Sequence, residues 1–236
     1  MTARAAYSVY WQDGMLMWPH HMQQEERFHT DRIRITHRWN VNFNWGLREI
    51  EWDADAMQNG RLEITRLRAR LRDGTLVEVP DDGRLPTLEL AEAMLGKDQV
   101  TVYVGVAILN EKGANVAGAP EQNGESADTT RYRMERFEVF DENDGADPQT
   151  LEFRTLNLKL LVDTQDLAGY EVLEIARFDK STGIPGLDIN YIPPLLACDS
   201  WKPLADDILQ YLFHHVGSRM EQLADKTLTR GITFET

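Results

Sequence analysis

One stretch constrains the fold of this chain more than any other. Val100 to Leu109 reads VTVYVGVAIL. In an extended backbone Val100, Val102, Val104, Val106 and Ile108 share one face, and Thr101, Tyr103, Gly105, Ala107 and Leu109 share the other. A strand with one wholly aliphatic face belongs in the middle of a packed sheet. Each such side chain stabilises the fold by about 1.5–3 kcal/mol when buried, so the core is expected to form around this segment.

The flanking sequence supplies further strands. Gly46 to Trp52 alternates apolar and polar residues. After the Asn59-Gly60 turn, Leu62 and Ile64 lie on one phase and Leu67, Ala69 and Leu71 on the other. The slip at Thr65-Arg66 predicts a bulge in one long strand or two strands meeting. Arginines at 66, 68, 70 and 72 keep strict period two against Leu67, Ala69 and Leu71. Asp73-Gly74 turns into a strand at 75–79 that Pro80 ends, and 81–86 is loop. Thr87 to Leu90 leads to a helical turn at 91–95 closed by Gly96. Residues 110–130 read as a long loop. Strands are expected at 131–140, 151–162 and 171–178, with an acidic turn at 141–145 and another turn near Gly169. Six to eight strands at hairpin spacing predict a mainly β, antiparallel sandwich and exclude a βαβ arrangement.

The period changes after a connector at 185–194. Asp199 or Ser200 can cap a helix, and Pro203 is tolerated in its first turn. Leu204, Ile208, Leu212, Val216, Met220 and Leu223 recur every three or four residues, predicting an amphipathic helix through about Lys226. Such a stripe needs a partner, and the residues after Gly186 supply none.

Composition limits function. The chain has 236 residues, 42% of them hydrophobic, and a net charge of −14. That balance disfavours duplex nucleic acid and anionic membrane surfaces, which select basic faces. One cysteine, Cys198, excludes an internal disulfide framework and fits a reducing compartment; it is expected to be a small buried or half-buried residue at a domain junction. No apolar run approaches the roughly 20 residues of a membrane-spanning helix. The reading is a soluble, cytoplasmic protein.

Trp11 to His29, WQDGMLMWPHHMQQEERFH, is the densest run of unusual residues. It predicts a short extended piece, a bend at Pro19 and a helix running through Ile33 and Ile35. His21, Glu25 and His29 would share a helix face, but lack the His-Glu-x-x-His spacing of a zinc helix, so packing or partner contact outweighs a metal site. No P-loop, G-x-S-x-G or dinucleotide fingerprint is present. Among Trp11, Trp18, Phe28, Trp39, Phe43 and Trp45, core packing is the default for most, with Trp11 or Trp18 as an interface anchor. No catalytic, cofactor or metal residue is assigned.

The pattern Trp11, Asp13-Gly14-Met15, Pro19-His20-His21-Met22-Gln23-Gln24, Arg27 resembles the opening signature of the TssK family, the baseplate subunit of type VI secretion systems, with Met22 where the family has Phe. The similarity continues through Trp45-Gly46-Leu47, Asp73-Gly74-Thr75 and Tyr191-Ile192-Pro193-Pro194. It implies a shoulder at 1–195, similar to siphophage receptor-binding proteins, and the start of a helical neck at 196–236, with the rest of the neck and a C-terminal head absent. It further implies a non-enzymatic homotrimer whose shoulder docks on the TssF–TssG wedge through Trp11, Met15, Trp18, Pro19, His20, His21 and Gln23. The neck stripe would set the trimer, and the head would reach the TssL and TssM membrane complex, placing the protein in the cytoplasm at the inner-membrane-associated baseplate. The competing reading is a metal-dependent hydrolase or carbohydrate-binding sandwich with the His-rich segment as its site.

Overall fold

A computed structural model describes residues 6–117, 129–180 and 185–230. It begins with a long helix, α1 (Pro19–Asn40), followed by β1 (Gly46–Trp52), a short helix α2 (Ala54–Gln58), β2 (Arg61–Leu62), β3 (Ile64–Arg70), β4 (Leu76–Val79), β5 (Leu88–Glu89) and the single turn α3 (Leu90–Ala93). Then come β6 (Gln99–Ala107), β7 (Val116–Ala117), β8 (Tyr132–Val139), β9 (Gln149–Leu156), β10 (Lys159–Val162), β11 (Tyr170–Asp179) and β12 (Gly186–Leu187). The last helix, α4, spans Gln210–Arg230.

Two main sheets share one core. The first has the order β1-β3-β4 and the second β10-β6-β11-β12, all antiparallel. As the sequence required, β6 lies between two neighbours, and Val100, Val102, Val104 and Val106 are fully buried. Thr101, Gly105 and Ala107 on the opposite face are also buried, whereas Ile108, past the strand end, is exposed. The facing sheet contributes Leu47, Leu67, Leu71 and Val77 to the same cluster. The bulge is where the period slipped: Glu51 pairs with Arg66 and Trp52 with Ile64, leaving Thr65 as the extra residue.

The expected strand at 151–162 is two strands in different sheets. β9 pairs with β8, β10 pairs with β6, and the chain changes sheet at Asn157-Leu158. Asn157 is 1% exposed; its side chain accepts from Arg133 Nε at 2.6 Å and donates to Thr130 O at 2.9 Å. Those bonds satisfy a buried amide at the corner, a long-range arrangement that periodicity does not report. Residues 110–130 are not all loop either, since β7 pairs with β8 in parallel; 118–128 lie outside the described residues.

The late helix also departs from expectation. A 3-10 turn at Cys198–Ser200 and π-helical turns at Pro203–Leu209 precede α4. Pro203 opens these turns at a position whose N–H has no intrahelical partner in any helix, and the backbone N–H of Gln210 reaches Ala205 O, five residues back. Trp201, 1% exposed, packs edge-on against Trp52 at 5.9 Å and fixes this start to the sandwich. Cys198 is exposed, contrary to the expected burial, because it sits in the surface turn just before that anchor.

Candidate functional site

The front segment is pinned by its backbone while most of its large side chains are exposed. The N–H of Ala6 donates to Asp31 Oδ2 at 2.9 Å and that of Val9 to Glu25 Oε2 at 3.0 Å, so this stretch runs along α1. Asp13-Gly14 forms the turn, with Gly14 at φ +74. The Trp18 N–H donates to His21 Nδ1 at 3.1 Å, closing the helix start, and the Trp11 and His21 rings lie 6.1 Å apart. Met15 and His21 are half-buried; Trp11, Trp18, Pro19, His20 and Gln23 are exposed. Leu16, Met17 and Met22 are also exposed.

The core default for the aromatic residues fails here. Trp39 is 81% exposed and Phe43 84%; Phe28 and Trp45 are half-buried, and α1 buries no residue. The reason is that α1 has sheet on little of its surface, so a stripe that reads as core faces outward. His21, Glu25 and His29 do not converge. Glu25 Oε1 meets His29 Nε2 at 3.1 Å, its other oxygen takes the Val9 N–H, and His21 is committed to Trp18. Among the described residues no group of three His, Cys, Asp or Glu side chains could hold a metal ion.

A second feature escaped the sequence reading. The C-terminal end of α1 and the β3–β4 turn enclose an open cleft of about 200 Å³, lined by Arg34, Arg38, Phe43, Trp45, Arg70 and Arg72 among others. The Arg72 guanidinium lies 4.2 Å from the Trp45 ring. The alternating arginines of β3 were legible, but the helix end that meets them was not.

Beneath this cleft sits a buried network. Arg131 donates to Ala107 O at 2.8 Å, to Asp73 Oδ2 at 3.0 Å and to Thr75 Oγ1 at 2.5 Å. Burial pushes the Asp73 carboxyl up, but hydrogen bonds from Thr75 and the charges of Arg131 and Arg34 outweigh it and hold the group below the usual range. Glu171 accepts the Asp73 N–H at 3.1 Å; burial first, then the Asp73 charge, raises its carboxyl. Burial, then the hydrogen bond to Glu174, pushes the Tyr191 hydroxyl up. Asp73 lines the edge of the cleft, and each of these shifted groups is tied into a structural contact.

The late helix is the third exposed surface. Leu204 is half-buried against the core, while Ile208, Leu212, Val216, Met220 and Leu223 are exposed along one stripe, with Phe213 and Leu228 also exposed. No helix among the described residues is long and apolar enough to cross a membrane.

Motifs far apart in sequence meet in the fold. The Leu47 N–H donates to Pro194 O at 2.8 Å and the Leu196 N–H to Leu47 O at 2.8 Å, so Trp45-Gly46-Leu47 and Tyr191-Ile192-Pro193-Pro194 are bonded backbone to backbone. A β body whose open surfaces carry the front-segment aromatics, the arginines of the cleft and the aliphatic stripe of the last helix has the surfaces of an assembly module. Comparisons with known proteins give the particular family. The family described as "Bacterial Type VI secretion, VC_A0110, EvfL, ImpJ, VasE" matches residues 21–235. The chain belongs to this family, that of the TssK baseplate subunits of type VI secretion systems.

The type VI secretion system baseplate component TssK1 of Pseudomonas aeruginosa is 28% identical over 201 residues, 84% of this chain and 44% of that protein, so the chain spans less than half of that relative. A chain in a cryo-electron-microscopy structure of the TssK-TssF-TssG baseplate subcomplex matches with TM-score 0.80 and 26% identity, covering 93% of this chain and 72% of the other. A crystal structure of TssK matches with TM-score 0.79 and 23% identity over 94% of this chain and 52% of that one, a likeness of fold.

Proposed function

We propose that the chain is a non-enzymatic part of a trimeric baseplate adaptor, with a β-sandwich shoulder at 1–195 and the start of a helical neck at 196–236. The shoulder docks on the TssF–TssG wedge through the front segment, with Trp11, Met15, Trp18, Pro19, His20, His21 and Gln23 at the contact. Leu204, Ile208, Leu212, Val216, Met220 and Leu223 form the seam between protomers. A C-terminal head beyond the neck joins the adaptor to the TssL–TssM membrane complex, which places it in the cytoplasm against the inner membrane.

The observation that carries this reading is the front segment. Its backbone is fixed to α1 by Glu25 and Asp31, while Trp11 and Trp18 are 46% and 55% exposed. Ordered backbone with free aromatic side chains is the arrangement of an interface anchor, because little rotamer and loop entropy is left to lose on binding. The solved subcomplex that contains a similar chain also contains TssF and TssG, which supports the choice of partner. Co-purification of a Trp18→Ala variant with TssF–TssG tests it. Recovery is expected to fall by about tenfold or more, the scale of a hot-spot truncation, with thermal stability unchanged. Undiminished recovery rejects Trp18 as an anchor.

A further inference from the structure

Two exposed features of this chain complement each other. The first is a β arm. Strands β8 and β9 pair over their whole length, from Tyr132↔Leu156 to Val139↔Gln149, but only the base of the hairpin is covered. From Arg136 outward on β8, and from Arg154 outward on β9, every residue is exposed. At ~3.3 Å per strand residue the free part and its turn reach roughly 15–20 Å from the body. Phe137, Val139, Leu151 and Phe153 lie on one face, the two phenylalanine rings 5.7 Å apart. The tip carries Asp141, Glu142, Asp144 and Asp147, all exposed. The second feature is the cleft at the end of α1. There Arg38 and Arg70 have no ion pair among the described residues, and Trp39, Val41 and Phe43 are exposed beside them.

We infer that the acidic, apolar-faced β8–β9 arm of one protomer docks in the arginine- and aromatic-lined cleft of a second copy of the chain. In the single chain the two do not meet, since the arm tip is exposed and the cleft is open. Charge selects the occupant. A chain of net charge −14 concentrates four arginines at this cleft, where the one carboxylate, Asp73, is paired with Arg131, and carboxylates at the arm tip, so head-to-tail contact between copies pairs opposite charges, while tip-to-tip and cleft-to-cleft contacts are repelled. The exposed phenylalanines would then be covered by Phe43 and Trp39 of the neighbour, removing an apolar face from water. A heterologous contact of this kind closes into a ring when each protomer both gives an arm and receives one. The inference rests on the trimeric reading above for ring closure, and adds a contact the neck does not make.

The test uses the full chain carrying Cys198→Ser, Val41→Cys and Glu142→Cys, oxidised mildly, separated on a non-reducing gel and sedimented in parallel. Interchain-linked species are expected, reduced by at least about tenfold when Arg38→Glu and Arg70→Glu are added, the loss expected when opposed charges become like charges. A sample that sediments as a trimer without interchain links overturns the arm contact and leaves the neck reading standing. A monomer without links overturns both. Links that persist undiminished after charge reversal overturn the complementarity on which the inference stands, as does a cleft that binds an acidic segment of another protein while copies of the chain fail to link.

Discussion

Arg131 and Asp73 lie 58 residues apart in sequence and 3.0 Å apart in space. The guanidinium is 4% exposed, and through one side chain it bonds the β3–β4 turn, the end of β6 and the start of β8. Arg131→Ala removes the guanidinium donor from Ala107 O, from Asp73 Oδ2 and from Thr75 Oγ1, leaving Asp73 the Thr75 N–H at 2.8 Å and Thr75 Oγ1 the Arg34 guanidinium at 3.2 Å. Breaking a largely buried pair by removing one partner costs about 3 kcal/mol, which lowers Tm by roughly 6–12 °C for a chain of this size. Arg131→Lys keeps the charge but loses the fork, and is expected to recover less than about half of that loss. Thermal melts of the three proteins check both statements.

The same network gives a pH dependence with two opposing signs. Asp73 has a depressed folded value, so its contribution is full above the ordinary value of 3.8 and is lost as pH falls through the folded value. Glu171 has a raised folded value. Its ionisation therefore costs stability as pH rises from the ordinary 4.5 through the folded value. Glu171→Gln keeps an oxygen to accept the Asp73 N–H and removes the charge beside Asp73. Urea melts of that variant are expected to show a gain of about 0.5–1 kcal/mol at neutral pH that vanishes below pH 4, since a partly buried like-charge contact is relieved only where both groups are ionised. Equal stability of variant and parent at pH 7 counts against the coupling.

What the residues alone disclosed was the part governed by local period. The aliphatic face of β6, the bulge at Thr65 and the arginine alternation of β3 follow from which side of a pleat each residue faces. The break at Asn157 and the burial of Arg131 were not legible, because each polar group is satisfied by residues distant in sequence. The front motif was recognised, but the outward turn of Trp39 and Phe43 depends on how little of α1 the sheets cover, a tertiary fact. Trp201 signalled nothing by spacing, and it is the residue that fastens the last helix.

Gly46 sits at φ +139 with no room for a side chain. A Cβ there would meet Pro194 O at 2.8 Å and the Pro194 carbonyl carbon at 2.9 Å. Both neighbours are backbone and cannot rotate away. Gly46→Ala adds left-handed strain to this clash, and is expected to cost about 2–4 kcal/mol. The damage should be local first. The bonds between Leu47 and the 194–196 segment are the ones lost, so limited proteolysis is expected to cut the connector between 188 and 200 before the sandwich. A fragment pattern identical to the parent's contradicts this.

The exposed stripe of α4 makes the last prediction. Most of a helix's stability in a protein comes from packing its apolar face, and the stripe of the 21-residue α4 is unpacked in the single chain. Ile208, Leu212, Val216 and Met220 are open in the single chain, so neighbouring protomers are the expected cover. Leu212→Glu with Val216→Glu places two carboxylates on that seam in each protomer, where like charges would be forced together. Sedimentation is expected to shift from trimer to monomer, and far-UV circular dichroism to lose helix from the C-terminal segment alone. Deleting 210–236, which spares the buried Trp201 and Leu204, should give the same folded, largely monomeric sandwich. A stable trimer from either protein would move the source of self-association from the neck to the shoulder.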